Sequence, residues 1–329
     1  MSILITGGAG YIGSHVAKQL LEQSNETLII LDNLSTGSLE RIEILQAIRP
    51  FVFIEQDLND WKALEKIFQE YTITSILHFA AFIVVPESVV DPLKYYMNNT
   101  VNTTKLIDLA VTYGVRRFIF SSTAAVYGEP DEVPVKESTK TDPINPYGMS
   151  KLMSETVLRD ASLANPRFKH VILRYFNVAG AALDGTIGQS FPNATHLIKV
   201  AAQTVLGKRE KLHIFGTDYA TDDGTCIRDY IHVDDLASAH LKALTYLNEN
   251  ESDTFNVGYG HGFSVKDVVS SMKKVSQVDF QVDESPRRLG DPALLISDNT
   301  KIKTKMHWIP SHDDLNTICR TALDWERTL

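Results

Sequence analysis

The most constraining stretch of this chain is its start. An apolar β-branched run, Ile3 to Thr6, passes directly into Gly7-Gly8-Ala9-Gly10-Tyr11-Ile12-Gly13, and a helical pattern follows from Gly13 to Gln23. A strand that breaks on glycines and opens a helix has three needs: a tight turn, a close backbone approach to a ligand, and close helix–strand packing. Glycine meets all three, and this spacing is the dinucleotide fingerprint. The helix N-terminus then offers unpaired N–H groups and a positive dipole end to a pyrophosphate. Asp32 ends the next apolar run about twenty residues on, where a carboxylate can accept hydrogen bonds from a ribose. No arginine follows at once to hold a 2′-phosphate, so NAD is expected rather than NADP.

The same alternation continues through the first half. Ile3 to Thr6, Thr27 to Leu31, Phe51 to Ile54, Ser75 to Phe79, Arg117 to Ser121 and Val171 to Tyr175 read as buried strands. Between them Gly13 to Gln23, Trp61 to Tyr71, Asp91 to Tyr113 and Tyr147 to Ala164 carry helical periodicity, and Asp91-Pro92 supplies a cap and a first-turn proline. Such alternation predicts an α/β fold with a Rossmann-like, doubly wound parallel sheet. From about residue 178 the pattern breaks into short elements and long loops at Gly180, Gly185, Gly188, Pro192, Gly216 and Gly224, which predicts a smaller C-terminal substrate domain. Asp57-Leu58 and Phe79-Ala80-Ala81 fall at carboxyl ends of strands, where adenine and nicotinamide would lie.

Composition narrows the partners. Hydrophobic residues make up 43% of the 329, enough for a large core, and the net charge is −9, with no basic stripe. Nucleic acid and anionic membrane are therefore not expected partners. The N-terminus shows no basic segment followed by an apolar one, and the longest apolar run, Ile76 to Val85, is about half a membrane span and contains His78. Cys226 and Cys319 stand too far apart for a disulfide framework or metal spacing, so a reducing, cytoplasmic setting is expected. The ten histidines form no metal motif, Asp218 to Gly224 lacks the spacing of a calcium loop, and no metal is expected.

Chemistry is suggested by Tyr147 and Lys151, which share one helix face. A lysine ammonium and an oxidised nicotinamide beside a phenol would lower its pKa and make it a usable base. The fifth strand runs into Ser121-Ser122-Thr123, placing hydroxyls beside the expected nicotinamide. Hydroxyl, phenol and lysine around a nicotinamide form an alcohol-to-carbonyl redox centre.

Thr6-Gly7-Gly8-Ala9-Gly10-Tyr11-Ile12-Gly13, Asp32-Asn33, His78-Phe79-Ala80-Ala81, Phe120-Ser121-Ser122-Thr123 with Val126-Tyr127-Gly128, and Pro146-Tyr147-Gly148-Met149-Ser150-Lys151 resemble the extended short-chain dehydrogenase/reductase superfamily. Leu173-Arg174-Tyr175-Phe176-Asn177, Arg228-Asp229-Tyr230-Ile231-His232 and Pro286-Arg287-Arg288-Leu289-Gly290-Asp291 narrow this to a resemblance to the UDP-glucose 4-epimerase family over essentially the whole chain. The order and spacing of the motifs carry it.

The resemblance implies interconversion of UDP-glucose and UDP-galactose through a transient 4-keto sugar, with Tyr147, Lys151 and Thr123 catalytic. It also implies NAD contacts at the glycine motif, Asp32, Asn33, Asp57, Leu58, Phe79, Ala80, Ala81, Asn98, Ser121, Ser122 and Tyr175. Substrate contacts are implied at Asn177, His196, Leu197, Phe215, Arg228, Arg288 and Asp291, with Leu294 about where family members set sugar-pocket size. The implied division is an NAD-binding domain over 1–177 and a UDP-sugar domain over 178–329, with a segment near 228–247 returning to the first, in a homodimer paired through helices near 91–113 and 147–164. Two departures stand out: Ile83 where many members carry lysine, and Lys199 where proline is common. Related dehydratases place an acid pair after the threonine, and Ala124-Ala125 lack it. UDP-GlcNAc or UDP-glucuronate 4-epimerases, UDP-glucuronate decarboxylases and a non-catalytic NAD sensor remain alternatives.

Overall fold

The computed structural model describes residues 2–191, 195–288 and 291–329. Pro192, and Leu289 and Gly290 of the Pro286–Asp291 motif, lie outside them. The N-terminal half runs β1 (Ser2–Thr6), α1 (Tyr11–Gln23), β2 (Thr27–Asp32), α2 (Leu39–Ile48), β3 (Val52–Glu55), α3 (Trp61–Glu70), β4 (Ile73–His78), α4 (Val85–Val90), α5 (Pro92–Tyr95), a π-helical turn (Tyr96–Val101) and α6 (Asn102–Thr112). It continues through β5 (Arg117–Thr123), a 3₁₀ turn (Ala124–Tyr127), α7 (Pro146–Ala164), β6 (Lys169–Tyr175) and β7 (Asn177–Ala179). Then come α8 (Leu197–Val205), β8 (Leu212–Phe215), β9 (Ile227–Arg228), β10 (Tyr230–His232), α9 (Val233–Tyr246), β11 (Asp253–Val257) and β12 (Phe263–Ser264). The chain closes with α10 (Val265–Ser276), β13 (Val282–Ser285), β14 (Leu294–Leu295), α11 (Thr300–Met306) and α12 (Leu315–Thr328).

The central sheet has the order β11-β6-β5-β4-β1-β2-β3, and every pair in it is parallel. Because successive side chains point to opposite faces, a strand covered on both sides must be apolar throughout. Ile3 and Ile5 of β1 accordingly enter one core while Leu4 enters the other; Ile119 of β5 joins the first and Phe118 and Phe120 the second. Phe118, Phe120 and Phe255 are fully buried, each contributing about 1.5–3 kcal/mol. Reversal of winding at β1 and β4 opens a crevice at the carboxyl ends of the strands, where glycine turn and β5 meet.

The C-terminal half is not wholly separate. Helix α9 packs on α1, and β11 adds a strand beside β6, so two segments of the far half join the N-terminal layer. The remainder, with β13 paired to β8 and β14 and β12 flanking β9, sits beside the crevice. Among the described residues no helix is long and apolar enough to cross a membrane.

Candidate active site

At the mouth of the crevice lies a cavity of about 300 Å³. Gly7, Gly10, Tyr11, Ile12 and Gly13 line it. Gly7 has φ +73°, and a Cβ there would lie 2.7 Å from the Ala80 nitrogen; one on Gly13 would lie 2.3 Å from the Gly7 carbonyl. Only glycine permits this turn to lie against the next strand's loop and the helix to start under it. Helix α1 begins without a side-chain cap among the described residues, so its first-turn N–H groups border the cavity without a side-chain acceptor.

Asp32 follows at the end of β2 and lines the same cavity. Its carboxylate accepts from Ala9 N–H at 2.9 Å and Leu34 N–H at 2.8 Å, which aims it while leaving lone pairs free. Burial raises its pKa and these bonds oppose the rise. Asn33 donates to Asp57 at 2.6 Å, and both line the cavity with Leu58, Phe79, Ala80 and Ala81. A turn that no Cβ could occupy, an uncapped helix start and a held carboxylate fit a dinucleotide.

The other end of the cavity holds a threonine hydroxyl, a phenol and a lysine. Asn145 caps α7 by accepting from Gly148 N–H at 2.9 Å, and Pro146 starts the helix, which sets Tyr147 and Lys151 facing β5. Thr123, Tyr147 and Lys151 line the cavity with Ser121, Asn98 and Tyr175. Burial raises the Tyr147 pKa, and the nearby Thr123 side chain pulls it back. Lys151 donates to the Ser121 carbonyl at 2.8 Å, and burial drives its pKa down to about 7. Ser121 is hydrogen-bonded to the Tyr175 hydroxyl.

Several predicted residues sit elsewhere. Ser122 points away from the cavity and donates to Glu155, whose carboxylate pairs with Arg174 at 2.6 Å; this buried pair fastens α7 to β6 and keeps Glu155 ionised. Asn177 and His196 line the cavity, but Leu197 packs against the core. Phe215, Arg228, Arg288, Asp291 and Leu294 gather instead on the C-terminal half. There Arg288 stacks 3.8 Å over the Phe215 ring and Arg228 pairs with Asp291 at 3.0 Å. Asp229 is taken up by Tyr259, Gly260 and Ser297. In β14 Leu295 enters the core cluster with Ala124 and Phe176, while Leu294 takes the opposite, half-buried face of the strand beside Ile227 of β9.

Ser35, Thr36, Gln56, Phe82, Val178 and Gln189 also line the cavity and carried no motif signal. Nor did Asn99 or Tyr95. Asn99 bonds both backbone groups of Phe82 at 2.9 Å and reaches Ser150 at 3.1 Å, while the Tyr95 hydroxyl bonds both backbone groups of Val84 at 3.0 and 2.7 Å. Together they brace the loop that carries Ile83. The π-helical turn that holds Asn98 and Asn99 widens the helix where it passes the cavity, a device recurrent at functional sites.

The family model described as GDP-mannose 4,6 dehydratase matches residues 4–321. The chain is 49% identical to a UDP-glucose 4-epimerase of Azospirillum brasilense, over 99% of this chain and 92% of that one. Among solved structures it resembles the UDP-Glc/GlcNAc 4-epimerase from Campylobacter jejuni, at 61% identity and a TM-score of 0.89, covering 100% of this chain and 99% of that one. The UDP-glucose-4-epimerase from Stenotrophomonas maltophila, solved with bound NAD and formylated UDP-arabinopyranose, is 36% identical with a TM-score of 0.95, covering 100% and 98%. Full-length likeness at these identities, together with the glycine turn, Asp32 and the Thr123–Tyr147–Lys151 group around one cavity, means that this chain belongs to the family described as GDP-mannose 4,6 dehydratase and, within it, to the UDP-glucose 4-epimerases, which are isomerases.

Proposed function

We propose that this protein interconverts UDP-glucose and UDP-galactose by inverting C4, with NAD held in the cavity described above. The observation that carries the reading is that Thr123, Tyr147 and Lys151 border the same cavity as the glycine turn and Asp32. The glycine turn and the start of α1 would hold the pyrophosphate, Asp32 and Asn33 the adenosine ribose, Asp57 and Leu58 the adenine, and Asn98, Ser121, Lys151 and Tyr175 the nicotinamide side. Bound NAD supplies a ring that takes up a hydride and gives it back.

Tyr147 Oη takes the proton of the sugar 4-hydroxyl as the C4–O bond becomes a carbonyl, and returns it when the alcohol re-forms. Thr123, near the phenol and on the same cavity, would donate a hydrogen bond to the sugar oxygen. Lys151, fixed by the Ser121 carbonyl, supplies the positive charge that favours phenolate once it is protonated. Phe215, Arg228, Arg288 and Asp291 form the nucleotide grip, two arginines being suited to a diphosphate. That cluster stands apart from the reactive groups, which supports firm holding of UDP beside a sugar free to turn over. Domain roles follow: the NAD layer over 1–177 with 228–247 and β11, and the UDP-sugar part in the rest of 178–329.

Purified protein is expected to convert UDP-galactose to UDP-glucose with no net reduction of added NAD, resolved by chromatography of the nucleotide sugars. Stoichiometric NADH would indicate a dehydrogenase instead. A second reading, acceptance of N-acetylated sugars, is favoured by the Campylobacter jejuni relative, a UDP-Glc/GlcNAc 4-epimerase. A panel including UDP-GlcNAc decides it. The homodimer is supported by an exposed apolar face: Val89, Val90, Leu93 and Met97 from α4 to the π-helical turn, beside Met153 of α7. Val90 is 86% and Leu93 72% exposed, more than a monomer surface gains by leaving wet. Light scattering is expected to give twice the chain mass; a monomer at micromolar concentration refutes the pairing.

A further inference from the structure

Gln189, on the segment that follows β7, lines the cavity, and two buried cations hold this strap at Gly188 and Gln189 by its carbonyls. From α2, Arg41, 2% exposed, donates through one guanidinium nitrogen to the Gly188 carbonyl at 2.9 Å and through the other to the Ala9 carbonyl at 2.7 Å. Ala9 lies inside the glycine turn, and its N–H is the group bound by Asp32. From α8, Lys199, 6% exposed, donates to the Gln189 carbonyl at 2.6 Å and pairs with buried Glu326 of α12 at 2.6 Å, which Lys208 also reaches at 3.0 Å. Trp325 packs so closely that a Cβ on Gly188 would lie 2.4 Å from its ring. Gln189 itself lines the cavity.

Two features argue that this arrangement does more than stabilise. Arg41 has no carboxylate at ion-pair distance among the described residues; it is a buried cation spent on two carbonyls, one in the glycine turn and one in the strap. Buried pairs such as Lys199–Glu326 gain little over well-packed apolar side chains, because desolvation offsets the attraction. What they do supply is a defined position. A guanidinium fork spans two acceptors at fixed separation, and a lysine ammonium does not.

We propose that Arg41 and Lys199 are positioning residues that latch the Gly188–Gln189 strap to the glycine turn, so that NAD leaves the cavity only when the latch opens. The proposal rests on the reading of the cavity as an NAD site. Arg41 acts directly on the turn that would hold the pyrophosphate; Lys199 acts only through the strap.

The test is exchange of bound NAD for isotopically labelled NAD in purified holoenzyme, comparing wild type with Arg41→Met, Arg41→Lys, Lys199→Met and the Arg41→Met/Lys199→Met double variant. Loss of a charged hydrogen bond at the latch is expected to speed exchange about 10–100-fold. Arg41→Lys is expected to fail to restore slow exchange, and turnover at saturating NAD to stay within about twofold of wild type, since neither side chain touches the reacting atoms. The double variant is expected to exchange no faster than Arg41→Met, because both cations secure one strap. Exchange at the wild-type rate in the variants, restoration by Arg41→Lys, or a double effect equal to the product of the singles overturns the latch. Should Arg41→Met not fold, Arg41→Lys and Lys199→Met decide by the same rates. A wild-type chain that takes up no NAD in titration overturns the cavity reading, and is told apart from failure of the latch alone by that titration.

Discussion

Tyr147→Phe is expected to lower turnover by roughly 10²–10⁴-fold, the usual cost of removing a group that moves a proton in the rate-determining chemistry. The substitution deletes one oxygen from a ring that is otherwise kept: it stays packed edge-on against Tyr95, with ring centres 6.5 Å apart, and α7 keeps its Asn145 cap. The loss would therefore fall on kcat, with NAD content and thermal unfolding close to wild type. Burial raises the Tyr147 pKa in the free chain, so phenolate is scarce until positive charge is placed beside it. Wild-type kcat should fall as pH drops through the phenol's pKa in the loaded enzyme, and the residual activity of Tyr147→Phe should lose that limb. Turnover near the wild-type value in the variant would take Tyr147 out of the mechanism.

Lys151→Met is expected to remove activity while making the cofactor-free chain more stable below neutrality. Lys151 is 2% exposed, and burial lowers its pKa from 10.5 to about 7. Below about pH 7 it is charged in both folded and unfolded chains, and the folded chain bears the full cost of burying the charge. Between about 7 and 10.5 the folded chain has released the proton and the unfolded chain retains it, so this group's cost shrinks as pH rises. Methionine avoids the cost but leaves the Ser121 carbonyl without its 2.8 Å donor. The net gain is on the order of 1–3 kcal/mol at pH 6, declining toward pH 10. Denaturant melts of the two cofactor-free proteins across that range check the sign. A variant less stable than wild type at pH 6 would show that Lys151 is a structural cation, and turnover within tenfold of wild type would remove it from the chemistry.

The parts legible in the sequence share a cause: each is enforced within a few residues of chain. Strands buried on both faces must be continuous apolar runs, and β1, β2, β3, β4, β5 and β6 fall within about two residues of their expected bounds. The glycine turn is enforced by its own helix start, where a Cβ on Gly13 would lie 2.3 Å from the Gly7 carbonyl, and Asp32 by its place at the end of a strand. Tyr147 and Lys151 were legible because a helix period joins them. Helix α2 went unseen although its bounds are ordinary, because Leu39, Ile42, Leu45 and Ile48 are interrupted by charged Glu40, Arg41 and Glu43. One of those charges, Arg41, is buried against carbonyls that lie far away in sequence.

The sequence by itself determined the doubly wound sheet, the dinucleotide turn and the pairing of Tyr147 with Lys151 on one helix face, since periodicity and glycine chemistry act over a handful of neighbouring residues. Only the tertiary structure decided that β11 completes the sheet from the far half, that Asn99 and Tyr95 brace the loop carrying Ile83, and that Arg41 and Lys199 meet at one strap. Those are choices of partner between distant segments. They are set by which buried donors and apolar faces must be satisfied once the chain has closed on itself, and no local pattern records them.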